Sequence, residues 1–537
     1  MRITGNRIAN IILLLAAAVV LSFVAYSFRT GRFRLDDSFM FLRYAHNLAE
    51  HGTFGWNAGE RAYGCTSIPY TLFVLLVKSM NTMIGSAFSN SSILLMSSLA
   101  WGCAALLLLY RTLGRIAGEG GILDPVGIKL IIASVLVSPM FFVSLVTGMD
   151  ASLSLFSNIL LVYLMLSYAN DRSRRLLILS VLGAYLTFLV RPDNGFYALL
   201  FPGLFMMWQG FPARAIFRFY ILLGALMSLD LAIKYLYFGS PIPLSYYAKA
   251  HGLYRNYLEF KTWNPFTYLF LFLLTTGAMP VMAVLRFNRE VLRIFIAFLL
   301  PMALTFLVFF KTVQIMGFFA RYYAPSIPFM ICAGAFALRG QRELTVQKEG
   351  VRNIVIVAIS LIALNTAAFI YDRQVARYDS GNLRKIESIY YSSSYDCRST
   401  RRDGDIVTFS RLLYAFPFVR TVALSEHGFI SAEHPELYIT DLVGLHNPGI
   451  ATRGLDEDVF TDPEPEIIWL HWAYGWLNLE MRKLDAWQRY LYLPVFNGGI
   501  AIRKDSLLLS PGNREKLMDM LDCREISTGL SAPAFYR

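Results

Sequence analysis

Two adjacent carboxylates, Asp36 and Asp37, directly follow the first long apolar run of the chain. An acid at a membrane boundary is costly to bury and needs a reason to be there. Beside a lipid-facing cavity, such a carboxylate can act as general base on an attacking hydroxyl. Its neighbour would raise its proton affinity, or the two together could hold a divalent cation. The structural alternative is that the pair caps a helix starting near Ser38, since acids favour helix N-termini. Further polar residues sit at other breaks between apolar runs: Arg43 and His46, Asp150, Arg191 and Asp193, Tyr246, Tyr247 and Lys249, Lys311, and Arg321. Lys and Arg suit a phosphate, Lys as a point charge and Arg through paired hydrogen bonds; each could equally snorkel to lipid headgroups. The tyrosines would form an amphipathic rim, as interfacial aromatic belts do. His46, His251 and His446 are weak signals, because no HxxxH or HxH spacing marks a zinc site, and no metal ligands are assigned. There is no phosphate-binding P-loop, no GxGxxG and no CxxC pair.

The elements that must position these residues are apolar and helical. The chain has 537 residues, 56% hydrophobic and 16% charged, and its mean hydropathy is positive. Runs of about 20 apolar residues, the length that crosses a bilayer, recur up to Tyr371. They place spans at about 8–28, 91–110, 130–147, 151–169, 176–190, 195–208, 216–237, 264–285, 291–310, 322–338 and 353–371, eleven in all. The first is read as a retained span, for want of a small-x-small cleavage site. Residues 69–83 are apolar but short and carry Lys78, so they are expected to lie along the interface.

Charge orients this bundle. Basic clusters at Arg111/Arg115/Lys129, Arg172/Arg174/Arg175, Arg214/Arg218, Arg286/Arg289/Arg293 and Arg339/Arg342/Lys348/Arg352 fall on one side. The links with the candidate residues fall on the other, which the positive-inside rule makes the outer face. The net charge is +12; residues 372–537 hold 19 Lys and Arg against 23 Asp and Glu, a net of −4, leaving +16 on the membrane part. That split argues against nucleic-acid binding.

The expected domains are therefore a transmembrane body, 1–371, with a first external loop at 29–90 bearing juxtamembrane helices, and an external domain, 372–537. The latter alternates short β-type runs (Asp405–Ser410, Thr421–Ser425, Glu466–Trp472, Tyr490–Ile502) with helical stretches such as Arg514–Met520, an α/β pattern. Cys397 and Cys523 bracket it and could form a disulfide in an oxidising compartment, although spacing alone does not pair them.

Several stretches resemble a known family. Leu35-Asp36-Asp37-Ser38-Phe39 through Arg43-Tyr44-Ala45-His46-Asn47-Leu48 is similar to the DDAFI-x-x-RYARNL opening of one branch of the GT-C glycosyltransferases. Gly52 to Arg61 is similar to GLVFNPGER, and Tyr63-Gly64-Cys65-Thr66-Ser67 to EGYTS. Thr147-Gly148-Met149-Asp150 resembles TGLET, Arg191-Pro192-Asp193 resembles RPEG, and Phe238 to Lys249 resembles FGSPLPNTYYAK. Arg321-Tyr322 with Pro325 and Pro328 resembles RFLVPVLP, and Asp441 to Asn447 resembles DLxGLND. The chain is similar to the mycobacterial terminal β-1,2-arabinofuranosyltransferase family; Asp150 and Asp193 stand for Glu, and Cys65 for Tyr.

The resemblance implies a GT-C bundle of eleven spans in a bacterial plasma membrane, with an extracytoplasmic α/β domain. It implies inverting transfer of a sugar, D-arabinofuranose, from a polyprenyl-phosphate donor to a glycan or glycoprotein acceptor. Asp36 or Asp37 would be the base and Lys249 and Arg321 the donor-phosphate ligands; Arg43, His46, Asp150, Arg191, Asp193, Tyr246, Tyr247 and Lys311 would be substrate contacts. No cofactor is required, with a divalent cation at the acid pair left open. Two alternatives remain: a lipid-linked sugar flippase or transporter, whose proton-coupling acid would be Asp230, and a non-catalytic glycan-binding envelope protein.

Overall fold

The computed structural model describes residues 2–31, 34–117, 125–250, 264–276, 288–311, 321–339, 395–397, 405–471, 474–495 and 499–525. The span expected at 353–371, the second half of that at 264–285, and His251 lie outside these residues. The chain divides into two compact units. One comprises 1–38, 66–241 and 261–374; the other joins 39–65 and 242–260 to 375–537. Arg43, His46, Tyr246, Tyr247 and Lys249 thus belong to the second unit, with the C-terminal part of the chain.

The first unit is helical. Among the described residues, five helices are long and apolar enough to cross a membrane: Asn6–Thr30, Asn90–Ala117, Ala151–Asn170, Ala213–Phe238 and Arg289–Phe310. Helices Pro125–Val137 and Pro139–Val146 make a sixth if taken as one span, bent by 59°. The bend follows from Pro139, which cannot donate into the preceding turn and drives Ser138 out of helical geometry, to ψ 124°. Other expected spans appear as shorter helices, Arg174–Val190, Gly195–Trp208, Asn264–Thr276 and Ile327–Arg339.

The Ala213–Phe238 helix buries only one stripe, Phe219, Leu223, Asp230 and Lys234, while Phe217, Ile221, Leu229 and Leu236 stay exposed. An apolar face of that extent suits hydrocarbon rather than water. On the buried stripe Asp230 is paired with Lys234 at 2.7 Å, so the acid that a proton-coupled transporter would use already has a cation on it. Helix Ile68–Met83 has 16 residues and is not among the candidate spans. It buries Tyr70, Val74 and Asn81 and exposes Leu72, Leu76, Met80 and Met83.

The second unit carries a five-stranded sheet in the order β3-β2-β4-β6-β5. Its strands are β2 (Thr421–Leu424), β3 (Tyr438–Asp441), β4 (Ile467–Leu470), β5 (Tyr490–Leu493) and β6 (Gly499–Arg503). β2 pairs parallel with β3 and β4, and β6 joins β4 and β5 antiparallel. Every residue of β4 is buried, as expected of a parallel strand covered on both faces.

The run Asp405–Ser410, expected as a strand, is instead the start of a helix, Asp405–Ala415. Phe409, Leu412 and Leu413 are buried together, and that three-to-four spacing outweighs the β-type residues Ile406, Val407 and Thr408. Tyr490–Ile502 is not one run but a hairpin. A separate two-stranded ribbon pairs β1 (Tyr395–Cys397) with β7 (Cys523–Glu525). Cys397 is opposite Cys523 in register, and Cys523 is disulfide-bonded; Cys65, Cys103 and Cys332 are in the thiol form.

Candidate functional site

In the first unit the acid pair is held by the helix ends around it. Arg34 donates to the Ser91 carbonyl (2.9 Å), Ser27 Oγ (2.7 Å) and the Val146 carbonyl (2.5 Å), tying three helix termini together. The Leu35 amide donates to the Thr147 carbonyl (3.2 Å), and Ser38 Oγ to the Leu35 carbonyl (2.6 Å). Gly148, at φ +75°, sits against this turn: a Cβ there would lie 2.9 Å from Leu94 Cβ and 3.1 Å from Ser38 Oγ. Only glycine meets both the left-handed backbone and the close approach. Asp36 and Asp37 open a single 3-10 turn, Asp36–Phe39, and both are half-buried.

Asp37 forms an ion pair with Arg321, Oδ2 to Nη2 at 3.5 Å. The same nitrogen donates to the Tyr322 hydroxyl (3.2 Å), and the Arg321 guanidinium lies 5.0 Å from the Tyr322 ring centre. Burial works against the Arg321 charge; Tyr322 and Asp37 outweigh it and hold the guanidinium above its ordinary value. The loop bearing Arg321 is pinned at its far end. Asn158 donates to the Pro325 carbonyl (2.7 Å), and Tyr197 and Ser326 share a hydrogen bond at 2.5 Å.

A second charge group adjoins Tyr322. Arg191 grips Asp193 with two hydrogen bonds (3.0 and 2.7 Å) and Asp150 with a third (3.1 Å). Its guanidinium is 5.8 Å from the Tyr322 ring centre. Burial alone would depress the Arg191 value, but Asp193 and Asp150 raise it. Burial pushes the Asp150 carboxyl up, against the pull of Arg191. Asp37, Asp150, Arg191, Asp193 and Arg321 therefore form a connected set in one unit, with Asp36 next in sequence.

The remaining candidates are elsewhere. Arg43 is 1% exposed and its fork is spent on carbonyls: Trp56 (2.7 Å), Pro435 (2.6 Å) and Leu437 (2.6 Å). Burial lowers it to about 10. It staples Met40–His51 to the C-terminal strands, a structural role in place of the substrate contact expected from sequence. His46 is half-buried with its ring edge-on to His51. Tyr246, 60% exposed, lies edge-on to Tyr247. Lys249 is half-buried near the end of helix Leu244–Ala250. Lys311 closes helix Arg289–Lys311, and its side chain lies outside the described residues.

Sequence reasoning missed a second cluster. Each parallel strand of the second unit runs into a histidine or acid at its carboxyl end: β2 into Glu426 and His427, β3 into Asp441 and then His446, β4 into His471. His427, Asp441 and His446 are buried, with one ligand-type atom of each within 4.8 Å of the others. No short His spacing announces this; the signal was the repeated apolar run ending in His, TVALSEH, YITDLVGLH and IIWLH.

Buried histidines also make this unit acid-sensitive. Burial lowers His471 to about 4, and burial lowers His434 as well, against Glu436. A depressed histidine is neutral in the fold and takes its proton first in the unfolded chain. Stability is thus intact above the ordinary value of 6.5 and falls as pH drops from there to about 4. Acidification across that window is expected to remove up to about 3 kcal/mol for His471, read as a falling midpoint in denaturant titrations followed by tryptophan fluorescence.

No protein-family model and no curated protein sequence matches the chain.

Proposed function

We propose that the chain is an inverting GT-C glycosyltransferase that moves a sugar from a polyprenyl-phosphate donor to an acceptor hydroxyl. The observation that carries this reading is the Asp37–Arg321 pair, a carboxylate beside a buried guanidinium, within a unit of apolar helices. Asp36 takes the acceptor proton while Asp37 holds Arg321. The acceptor oxygen attacks the anomeric carbon, the bond from that carbon to the phosphate oxygen breaks, and the leaving polyprenyl phosphate keeps the electron pair. Arg321 faces the charge that grows on that phosphate, a contact worth more in the transition state than in the ground state. The sequence likeness implies Lys249 as a further phosphate ligand.

The finer assignments belong to the same proposal: eleven spans, an outer-facing site and C-terminal domain, a bacterial plasma membrane, D-arabinofuranose as the sugar, and a glycan or glycoprotein acceptor. The sequence likeness and the one-sided basic clusters support them. The deciding experiment is reconstitution with synthetic polyprenyl-phosphate sugars, scoring which donor is consumed and whether free polyprenyl phosphate appears. A chain that releases none with any donor, with or without acceptor glycan, would end the proposal. Arg321→Met is expected to raise the donor KM and lower kcat/KM by about 10²-fold, the scale of one lost charge-assisted phosphate contact. Unchanged donor kinetics would remove Arg321 from the phosphate site.

A further inference from the structure

The cluster at the carboxyl ends of β2 and β3 has no part in the proposed transfer. We propose that His427, Asp441 and His446 bind one divalent transition-metal ion of the zinc class. The fourth position is left for a water or a ligand oxygen.

Geometry argues first. Three atoms all within 4.8 Å of one another have a common centre no more than about 2.8 Å from each, so zinc bonds of about 2.0–2.2 Å need each ligand to close in by at most about 0.7 Å. Two imidazoles and one carboxylate form a donor set used by zinc and other first-row ions, and three protein ligands with an open fourth position characterise reactive rather than closed sites. The location fits as well: ligands of open parallel sheets gather outside the carboxyl ends of strands where the strand order reverses. Here the chain leaves β2 for β3 on one side and returns to β4 on the other.

The surroundings orient these residues as second shells orient metal ligands. His446 is stacked on Trp56, with centroids 4.0 Å apart and planes 6° from parallel, and Trp56 meets His427 edge-on. His446 Nδ1 lies 3.1 Å from the Tyr44 hydroxyl, which also accepts the Gly64 amide at 3.2 Å. Gly64 is required there, since a Cβ would fall 2.2 Å from that Nδ1. The other ring nitrogen, Nε2, is buried with no hydrogen-bond partner, an arrangement that costs free energy unless something ligates it. Each Asp441 oxygen accepts one backbone amide, Val443 at 2.9 Å and His446 at 2.6 Å, which fixes the carboxylate and leaves lone pairs on both oxygens. Arg43 is the charge opposed to a cation here, and it is taken up by backbone carbonyls.

The test uses the tag-free full-length chain in detergent, stripped with chelator, dialysed against zinc and assayed for metal by mass spectrometry. One equivalent should remain on the wild type, and X-ray absorption at the zinc edge should show imidazole scattering. The double variant His427→Gln/His446→Gln should lose it. Tyr44→Phe, which keeps all three ligands, should weaken zinc by roughly 10-fold. Failure of the wild type to retain zinc, retention by the double variant at the wild-type level, or a spectrum without imidazole would each overturn the site. Should the double variant not fold, the wild-type spectrum alone decides.

Discussion

An Asp36→Asn chain is expected to fold and to bind donor normally, yet to transfer sugar about 10²–10⁴-fold more slowly, the range set by general-base catalysis. The substitution keeps size and hydrogen-bonding capacity and removes only the ability to accept the proton. A loss confined to kcat, with donor affinity and thermal midpoint unchanged, is the pattern that supports the role. Asp37→Asn should differ. Asp37 faces Arg321 at 3.5 Å, so its loss should also disturb the phosphate contact and raise the donor KM. The contrast between the two variants is the measurement. If both retained near-native turnover, the acid pair would revert to the role of helix-start residues suggested by its position in the Asp36–Phe39 turn.

The second large effect is structural. Arg191→Met should destabilise the first unit by about 3–5 kcal/mol, because it strands a buried carboxylate without its partner. Asp150 is 2% exposed and Asp193 depends on the same guanidinium. The neutralised triple variant Asp150→Asn/Arg191→Met/Asp193→Asn should recover much of that loss, since no charge is then left buried. Thermal unfolding in detergent of the single and triple variants gives the comparison. A single variant as stable as the parent would mean that the three charges are hydrated rather than enclosed.

The helical body was legible in the sequence because its signal is local. Residues 8–28, 91–110 and 216–237 are long apolar runs, and each is a helix long enough to span. The 69–83 stretch was legible, for the same reason, as too short to span: it is a 16-residue helix, Ile68–Met83. The acid and base positions could be named from their places at the breaks between runs. What could not be read was which of them meet. Arg43 looked like any other cation near a membrane surface until its partners appeared, three carbonyls of which two lie nearly 400 residues away. His446 looked isolated for the same reason, as its companions Tyr44 and Trp56 come from the distant segment 39–65 and His427 from the end of another strand. The helix at Asp405–Ala415 misled because its β-branched residues come first and its buried three-to-four spacing later.

Those same distant partners impose an order of assembly during synthesis. Residues 39–65 emerge early, whereas the strand that receives the Trp56 indole, through the Ile439 carbonyl, is made nearly 400 residues afterwards. At elongation rates of about 5–20 residues per second, the delay is roughly 20–80 s. Throughout it, Phe41, Tyr44 and Trp56, all essentially inaccessible in the finished protein, lack the C-terminal share of their partners; Tyr44 has only neighbours such as Phe54 from its own segment. Full burial of the segment therefore depends on the last third of the chain.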